Sequence, residues 1–89
     1  MEVIRGLGVG DLNYTYGELE RDVKIGHEIE FEFEGKTYGI INVPEGRGLG
    51  EDQKRFNYFK TAQELLDNGM IEGKLLKEIW GEVEFLFRL

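Results

Sequence analysis

Four glutamates at alternate positions are the residues of this sequence whose type and spacing could do chemistry. Glu28, Glu30, Glu32 and Glu34 alternate with Ile29, Phe31 and Phe33. Alternate residues of a β-strand share a face, so the pattern predicts a strand with one acidic and one apolar face. Glu30 and Glu32 would lie about 6.7 Å apart, a spacing comparable to that of glycosidase acids. Those acids need a cleft and one desolvated carboxyl, which exposed neighbours on an open strand do not supply.

The rest of the catalytic inventory is poor. The chain has no serine, no cysteine and one histidine, so the common nucleophile–base arrangements cannot be assembled. His27 has no partner histidine, which favours a surface or strand-end position over a metal site. We therefore expect a protein that is not an enzyme and that holds no metal or cofactor.

The formal charge of −7 disfavours direct binding to nucleic acid, because that affinity comes from lysine and arginine. The glutamate ladder has two interpretations. It could be a solvated outer face that deters edge-to-edge pairing, or a line of negative charge that mimics a nucleic-acid backbone. Mimicry predicts a protein inhibitor whose partner has a basic groove built for phosphates. The expected protein-binding residues are Glu28, Glu30, Glu32, Glu34, Glu51 and Asp52.

A second hypothesis comes from residues 45–60, which hold four bases against three acids. The composition of residues 45–50, with three glycines, predicts a mobile loop. Such a loop with nearby cations and an aromatic ring has the parts needed to hold a nucleotide. The protein would then be an oligomeric sponge for a nucleotide immune signal. Its ligand-binding residues would be Arg47, Lys54, Arg55 and Tyr58. The alternative for this segment is an ordinary loop beside a strand whose aromatic side chains point into the core. A third possible function is an adaptor that binds a protein through an exposed sheet edge.

The strands that would position these residues begin with a hairpin over residues 28–43. Glu34-Gly35 or Gly35-Lys36 is the expected turn, and both registers place Tyr38, Ile40 and Asn42 on the apolar face. Pro44 ends the return strand. Arg55–Phe59 is the expected third strand. Residues 84–89 could prolong the last helix, but their alternation favours an edge strand.

Three helices are expected beside these strands. Capping boxes at Thr15 and Thr61 predict helices over Tyr16–Val23 and from residue 62 to 68. A last helix is expected over Lys74–Glu82, with Trp80 docked on the hairpin. The predicted fold class is α+β, with an antiparallel sheet of three or four strands and two or three short helices packed on one face.

The length of 89 residues predicts one domain, residues 1–89, with residues 1–14 as an irregular connector. No stretch has the pattern of a signal peptide or of a membrane span. A cytoplasmic location is the expectation.

Two segments carry a resemblance to known proteins. Ala62-Gln-Glu-Leu-Leu66 and Ile71-Glu-Gly-Lys-Leu-Leu-Lys-Glu-Ile-Trp80, following the Glu-rich hairpin, resemble small proteins of Firmicutes and their phages. The likeness covers residues 28–84 and implies a shared fold but no assigned activity. In size, acidity and layout the chain is also similar to phage anti-CRISPR proteins, which implies an anti-defence role in the host cell. The partner that this resemblance implies is a bacterial defence protein, an immune nuclease with a basic groove.

Overall fold

An antiparallel sheet organises residues 14–89, the part of the chain that the computed structural model describes. In chain order the elements are α1 (Tyr16–Ile25), β1 (Ile29–Phe33), β2 (Lys36–Val43), β3 (Gly46–Glu51), β4 (Lys54–Phe59), α2 (Ala62–Asn68), β5 (Met70–Ile71), β6 (Lys74–Leu75), α3 (Leu76–Ile79), a 3₁₀ turn (Trp80–Glu82) and β7 (Glu84–Arg88). The expectation of an irregular connector over residues 1–14 falls almost wholly outside the described part.

The α+β class is confirmed, but the expected strand number is wrong. The main sheet has five strands in the order β4-β3-β2-β1-β7, and β5 pairs with β6 in a separate ladder. The prediction of three or four strands missed β3, because its glycines were interpreted as a loop. In the described residues, β4 and β7 are the edges of the main sheet.

The β1–β2 hairpin is confirmed in register and in turn. Ile29 pairs with Ile40 and Phe31 with Tyr38, which puts these side chains on one buried face. Glu34 and Gly35 form the two-residue turn with φ of 51° and 81°. Positive φ at both positions matches the right-handed strand twist, and glycine adopts it without steric cost.

The glycine-rich stretch that we expected to be a mobile loop is strand β3, paired on both sides by β2 and β4. Its glycines accommodate rings from the neighbouring strand. A Cβ at Gly50 would lie 2.5 Å from the Phe56 ring, and one at Gly48 would lie 3.2 Å from the Tyr58 ring. Close approach of side chains, and not flexibility, explains glycine at these two positions.

Both predicted helix starts are confirmed. The Thr15 hydroxyl accepts from the Glu18 amide while the Glu18 carboxylate accepts from the Thr15 amide. Thr61 accepts in the same way from the Glu64 amide. Helix α1 runs two residues beyond the predicted end and closes at Gly26, whose φ is 114°.

The predicted helix over Lys74–Glu82 is shorter and broken. Residues 70–71 and 74–75 form a small hairpin around Glu72 and Gly73, which have φ of 53° and 80°. Helix α3 therefore begins at Leu76, and Trp80 opens the 3₁₀ turn. Docking of Trp80 on the hairpin is confirmed, since its ring meets Phe31 edge-on at 5.1 Å between centroids.

All three helices pack on the same face of the sheet. Leu19 and Val23 of α1, with Leu65 and Leu66 of α2, join the buried strand residues in one core. No helix in the described range is long and apolar enough to cross a membrane. In residues 14–89 no helix covers the other face of the sheet, which we call the open face.

Candidate binding surface

The open face has an acidic column with apolar side chains on both sides. The column is formed by Glu30 and Glu32 of the interior strand β1, and both are half-buried. Glu30 lies between Gly39 of β2 and Phe87 of β7. The register of the other strands adds further apolar groups to this face: Ile41, Phe56 and Tyr58.

The structure places the other predicted acidic residues differently. Glu28 precedes β1, and its carboxylate accepts a hydrogen bond from the main-chain N–H of Asn42 at 3.0 Å, so it caps the end of β2. Glu34 is exposed in the hairpin turn at the far end of the column. The predicted ladder is therefore two glutamates at the centre with one carboxylate at each end.

Glu51 and Asp52 are separated by the end of β3. Glu51 pairs with Tyr38 and so lies on the helical side of the sheet. Asp52 is exposed in the β3–β4 turn and lines a groove on the open face together with Glu30. Of these two residues, Asp52 extends the acidic surface and Glu51 does not.

Glu84 is an acidic neighbour that sequence reasoning missed. It lies opposite Glu32 across the β1–β7 ladder. The pairing of β7 with β1 joins strands far apart in sequence, so no local pattern signals it. This pairing places a second carboxylate beside Glu32 at this end of the open face.

The residues of the nucleotide hypothesis do not come together. Arg47 lies beside α1, where its Nε donates to the Val23 carbonyl oxygen at 3.1 Å. Tyr58 is on the open face and 63% exposed. Arg55 lines a pocket on the opposite side with Lys36 and Asn57, and Lys54 is exposed at the start of β4. Within one copy of the described chain these four side chains form no common site.

The pocket around Arg55 also contains acidic groups. Glu51 and Glu72 line it, and the Glu72 carboxylate lies 3.6 Å from the Lys36 ammonium. The Tyr38 hydroxyl donates to Glu72 at 3.3 Å. Burial and the nearby Glu72 carboxylate raise the pKa of Tyr38 to about 12, so the phenol keeps its proton at neutral pH. Because carboxylates offset its cations, the pocket offers little net positive field to an anion.

A buried carboxylate fixes the strand that carries Phe87. Asp22 is 1% exposed and accepts hydrogen bonds from the Tyr14 hydroxyl at 2.6 Å and from Arg88 at 2.9 Å. Burial would raise the pKa of Asp22, but the bonds from Tyr14 and Arg88 outweigh it and lower that pKa. Asp22 thereby ties α1 to the end of β7.

An irregularity in β7 turns Phe87 toward the open face. Phe85 pairs with Phe31 and stacks on Tyr14 in the core, with ring centroids 3.9 Å apart. The register then shifts, and Phe87 pairs with Glu30. A one-residue bulge reverses the face of each following side chain, so two phenylalanines spaced by two residues point to opposite faces. Phe87 is 44% exposed as a result.

Within residues 14–89 no group of three or more histidine, cysteine, aspartate or glutamate side chains is arranged to hold a metal ion. The arrangement on the open face suits noncovalent recognition, because carboxylates and exposed rings lie next to one another on a rigid sheet. Comparisons with protein-family models, with curated proteins and with solved structures each found no match for this chain.

Proposed function

We propose that this protein is a non-catalytic anti-defence inhibitor of the phage type, acting in the host cytoplasm. It occupies the basic nucleic-acid groove of a bacterial immune nuclease, such as a CRISPR effector, through its open face. The observation that carries this proposal is the position of Glu30 and Glu32 at the centre of a sheet face that no described helix covers. The phage origin and the nuclease class extend the resemblance given above.

Charge supports the choice of a basic partner. Glu30 and Glu32 occupy alternate positions of β1, and the chain as a whole carries −7. A basic groove built for phosphates would neutralise these carboxylates on contact. Complementary charge of this kind speeds association and makes it sensitive to salt.

Sheet geometry supports mimicry over a loose acidic tail. Successive carboxylates on one face of a strand are spaced by about 6.7 Å, the rise of two residues. Strand β1 is held on both sides by β2 and β7, so this spacing is fixed before binding. A fixed array loses less conformational entropy on association than a flexible one.

An order-of-addition experiment tests the proposal. Purified protein is added to a panel of CRISPR effector nucleases before or after the target nucleic acid, and cleavage is measured. We expect inhibition of at least one nuclease when the protein is added first, and protection of the nuclease when nucleic acid is added first. Inhibition that is independent of the order and of nucleic-acid concentration would contradict occupation of the same groove.

A further inference from the structure

A trough crosses the open face beside the acidic column. Its floor is Gly39 of β2, flanked in the sheet by Glu30 of β1 and by Gly50 of β3. The Phe56 ring fills the space above Gly50, and Phe87 lies beyond Glu30. The trough has a volume of about 90 Å³.

Packing does not require glycine at position 39. A Cβ at Gly39 would meet only the Ile29 carbonyl oxygen, at 3.6 Å, which is an ordinary van der Waals distance. Its backbone also avoids the positive φ that favours glycine. Gly50 differs, since any side chain there collides with Phe56. Strand β2 could therefore carry a larger residue at position 39, and glycine keeps the trough open.

The lining of the trough defines what it accepts. The charged side chains that line it within the described part of the chain are carboxylates: Glu28, Glu30 and Asp52. Among residues 14–89 no lysine or arginine lines it, and the aromatic rings of Phe56 and Phe87 lie on either side. The occupant must thus combine positive charge with a surface that tolerates contact with rings. A guanidinium group is planar, weakly hydrated and stacks on aromatic faces, whereas an ammonium is strongly hydrated.

We propose that the trough over Gly39 receives an arginine side chain of the basic partner. The guanidinium lies between the Phe56 and Phe87 rings and pairs with the Glu30 carboxylate. This inference rests on the proposed function, since it names the partner group that the open face recognises. The open face then distinguishes an arginine-bearing surface from a lysine-bearing one, which a simple array of carboxylates would not do.

Two synthetic peptides of equal length and charge test the proposal. One alternates arginine with glycine and the other alternates lysine with glycine, and binding to the full chain is measured by calorimetry or by amide chemical shifts. We expect the arginine peptide to bind roughly three- to tenfold more tightly, the size of a cation–π contact that is partly exposed. Gly39→Val fills the trough and should bind the two peptides with equal affinity. Phe87→Ala, which removes one wall, should weaken the preference independently.

Equal affinity of the wild-type chain for the two peptides would overturn the inference. So would an arginine preference that survives in folded Gly39→Val and Phe87→Ala variants. These results separate the trough from the proposed function. Salt-dependent binding of both peptides without an arginine preference would rule out the arginine site in the trough but would leave the acidic face as the binding surface. An arginine preference that depends on Gly39, in a protein that inhibits no nuclease, keeps the trough and removes the nuclease proposal.

Discussion

Asp22 should contribute more to the free energy of unfolding than any exposed carboxylate of the chain. Its side chain is almost fully buried and accepts hydrogen bonds from Tyr14, Arg88 and Arg21. The substitution Asp22→Asn keeps the shape of the side chain but removes the negative charge that these donors stabilise. Tyr14 and Arg88 both donate to Oδ2, so the new amide nitrogen faces both of these donors if it takes that position, and it faces Arg21 if it takes the position of Oδ1.

The magnitude follows from the number and exposure of these contacts. A hydrogen bond to a charged group contributes about 1.5–3 kcal/mol, and breaking a buried pair costs about 3–5 kcal/mol. Arg88 is 46% exposed and Arg21 is 56% exposed, so solvent screening reduces both pairs. We expect Asp22→Asn to lower the free energy of unfolding by about 2–3 kcal/mol at pH 7. For a domain of this size the melting temperature falls by about 8–24 °C.

The pH dependence of the free energy of unfolding provides a second test of the role of Asp22. The folded-state pKa of Asp22 lies below that of the unfolded chain, because Tyr14 and Arg88 favour the charged form. Its contribution is therefore fully present above the unfolded pKa of about 3.9 and is lost as the pH falls through the folded value. The difference between the wild-type protein and Asp22→Asn should be constant near neutral pH and shrink in acid.

Urea unfolding monitored by tryptophan fluorescence measures this difference between pH 7 and pH 2, since Trp80 is buried in the core. Glu45→Gln is the matched control, because Glu45 is exposed in the turn before β3. It should stay within about 0.5 kcal/mol of the wild-type protein. A loss at Asp22→Asn no larger than that of the control, or a difference that grows as the pH falls, would refute the reasoning.

Three further stability effects can be measured in the same assay. Gly50→Ala should lower the free energy of unfolding by about 1–3 kcal/mol because its Cβ would lie 2.5 Å from the Phe56 ring. Gly39→Ala should be neutral or slightly stabilising. Similar losses at both positions would contradict the assigned packing. Glu34→Asn should stabilise the chain by about 0.5 kcal/mol, since asparagine tolerates the observed φ of 51°, and a loss of stability would show that the turn has another geometry. Glu72→Gln should cost less than about 1 kcal/mol because its pairs with Lys36 and Tyr38 are partly exposed, and a larger loss would count against screening by solvent.

The parts of the fold that were predicted from sequence depend on local signals. Strict alternation through β1 and the Glu34-Gly35 turn are contained within a few neighbouring residues, and so are the helix starts at Thr15 and Thr61. The capping box is complete at Thr15, whereas at the second helix the Glu64 carboxylate accepts from the Lys60 main-chain amide and not from that of Thr61. The hairpin around Glu72-Gly73 had the same Glu-Gly signal. Helical spacing of the residues after it favoured one longer helix instead, because two-residue strands are too short to show alternation.

The parts that were missed depend on contacts between distant residues. In the sequence Gly48 and Gly50 suggest a loop, whereas in the structure the rings of Tyr58 and Phe56 from β4 pack over them. Matching spacings of two residues in the glycines and in the rings were the available signal. The bulge in β7 that exposes Phe87 has no comparable local pattern.

The candidate site was predicted in part for the same reason. Alternation placed Glu30 and Glu32 together on one face, which the structure shows. It could not show that β1 is an interior strand, because β7 comes from the other end of the described chain. The aromatic neighbours of the acidic column, and the trough beside it, follow only from that sheet order.

Charge reversal on the open face tests the central claim most directly. The measurement is the affinity of the inhibited nuclease for the double variant Glu30→Lys/Glu32→Lys, compared with Glu45→Lys/Asp67→Lys. Both variants change the net charge equally, and Glu45 and Asp67 are exposed away from the acidic column. If the open face is the binding surface, the first variant remains folded and loses inhibition, while the second binds with little change. Equal weakening by the two variants, or retained inhibition by folded Glu30→Lys/Glu32→Lys, would contradict the proposed binding surface.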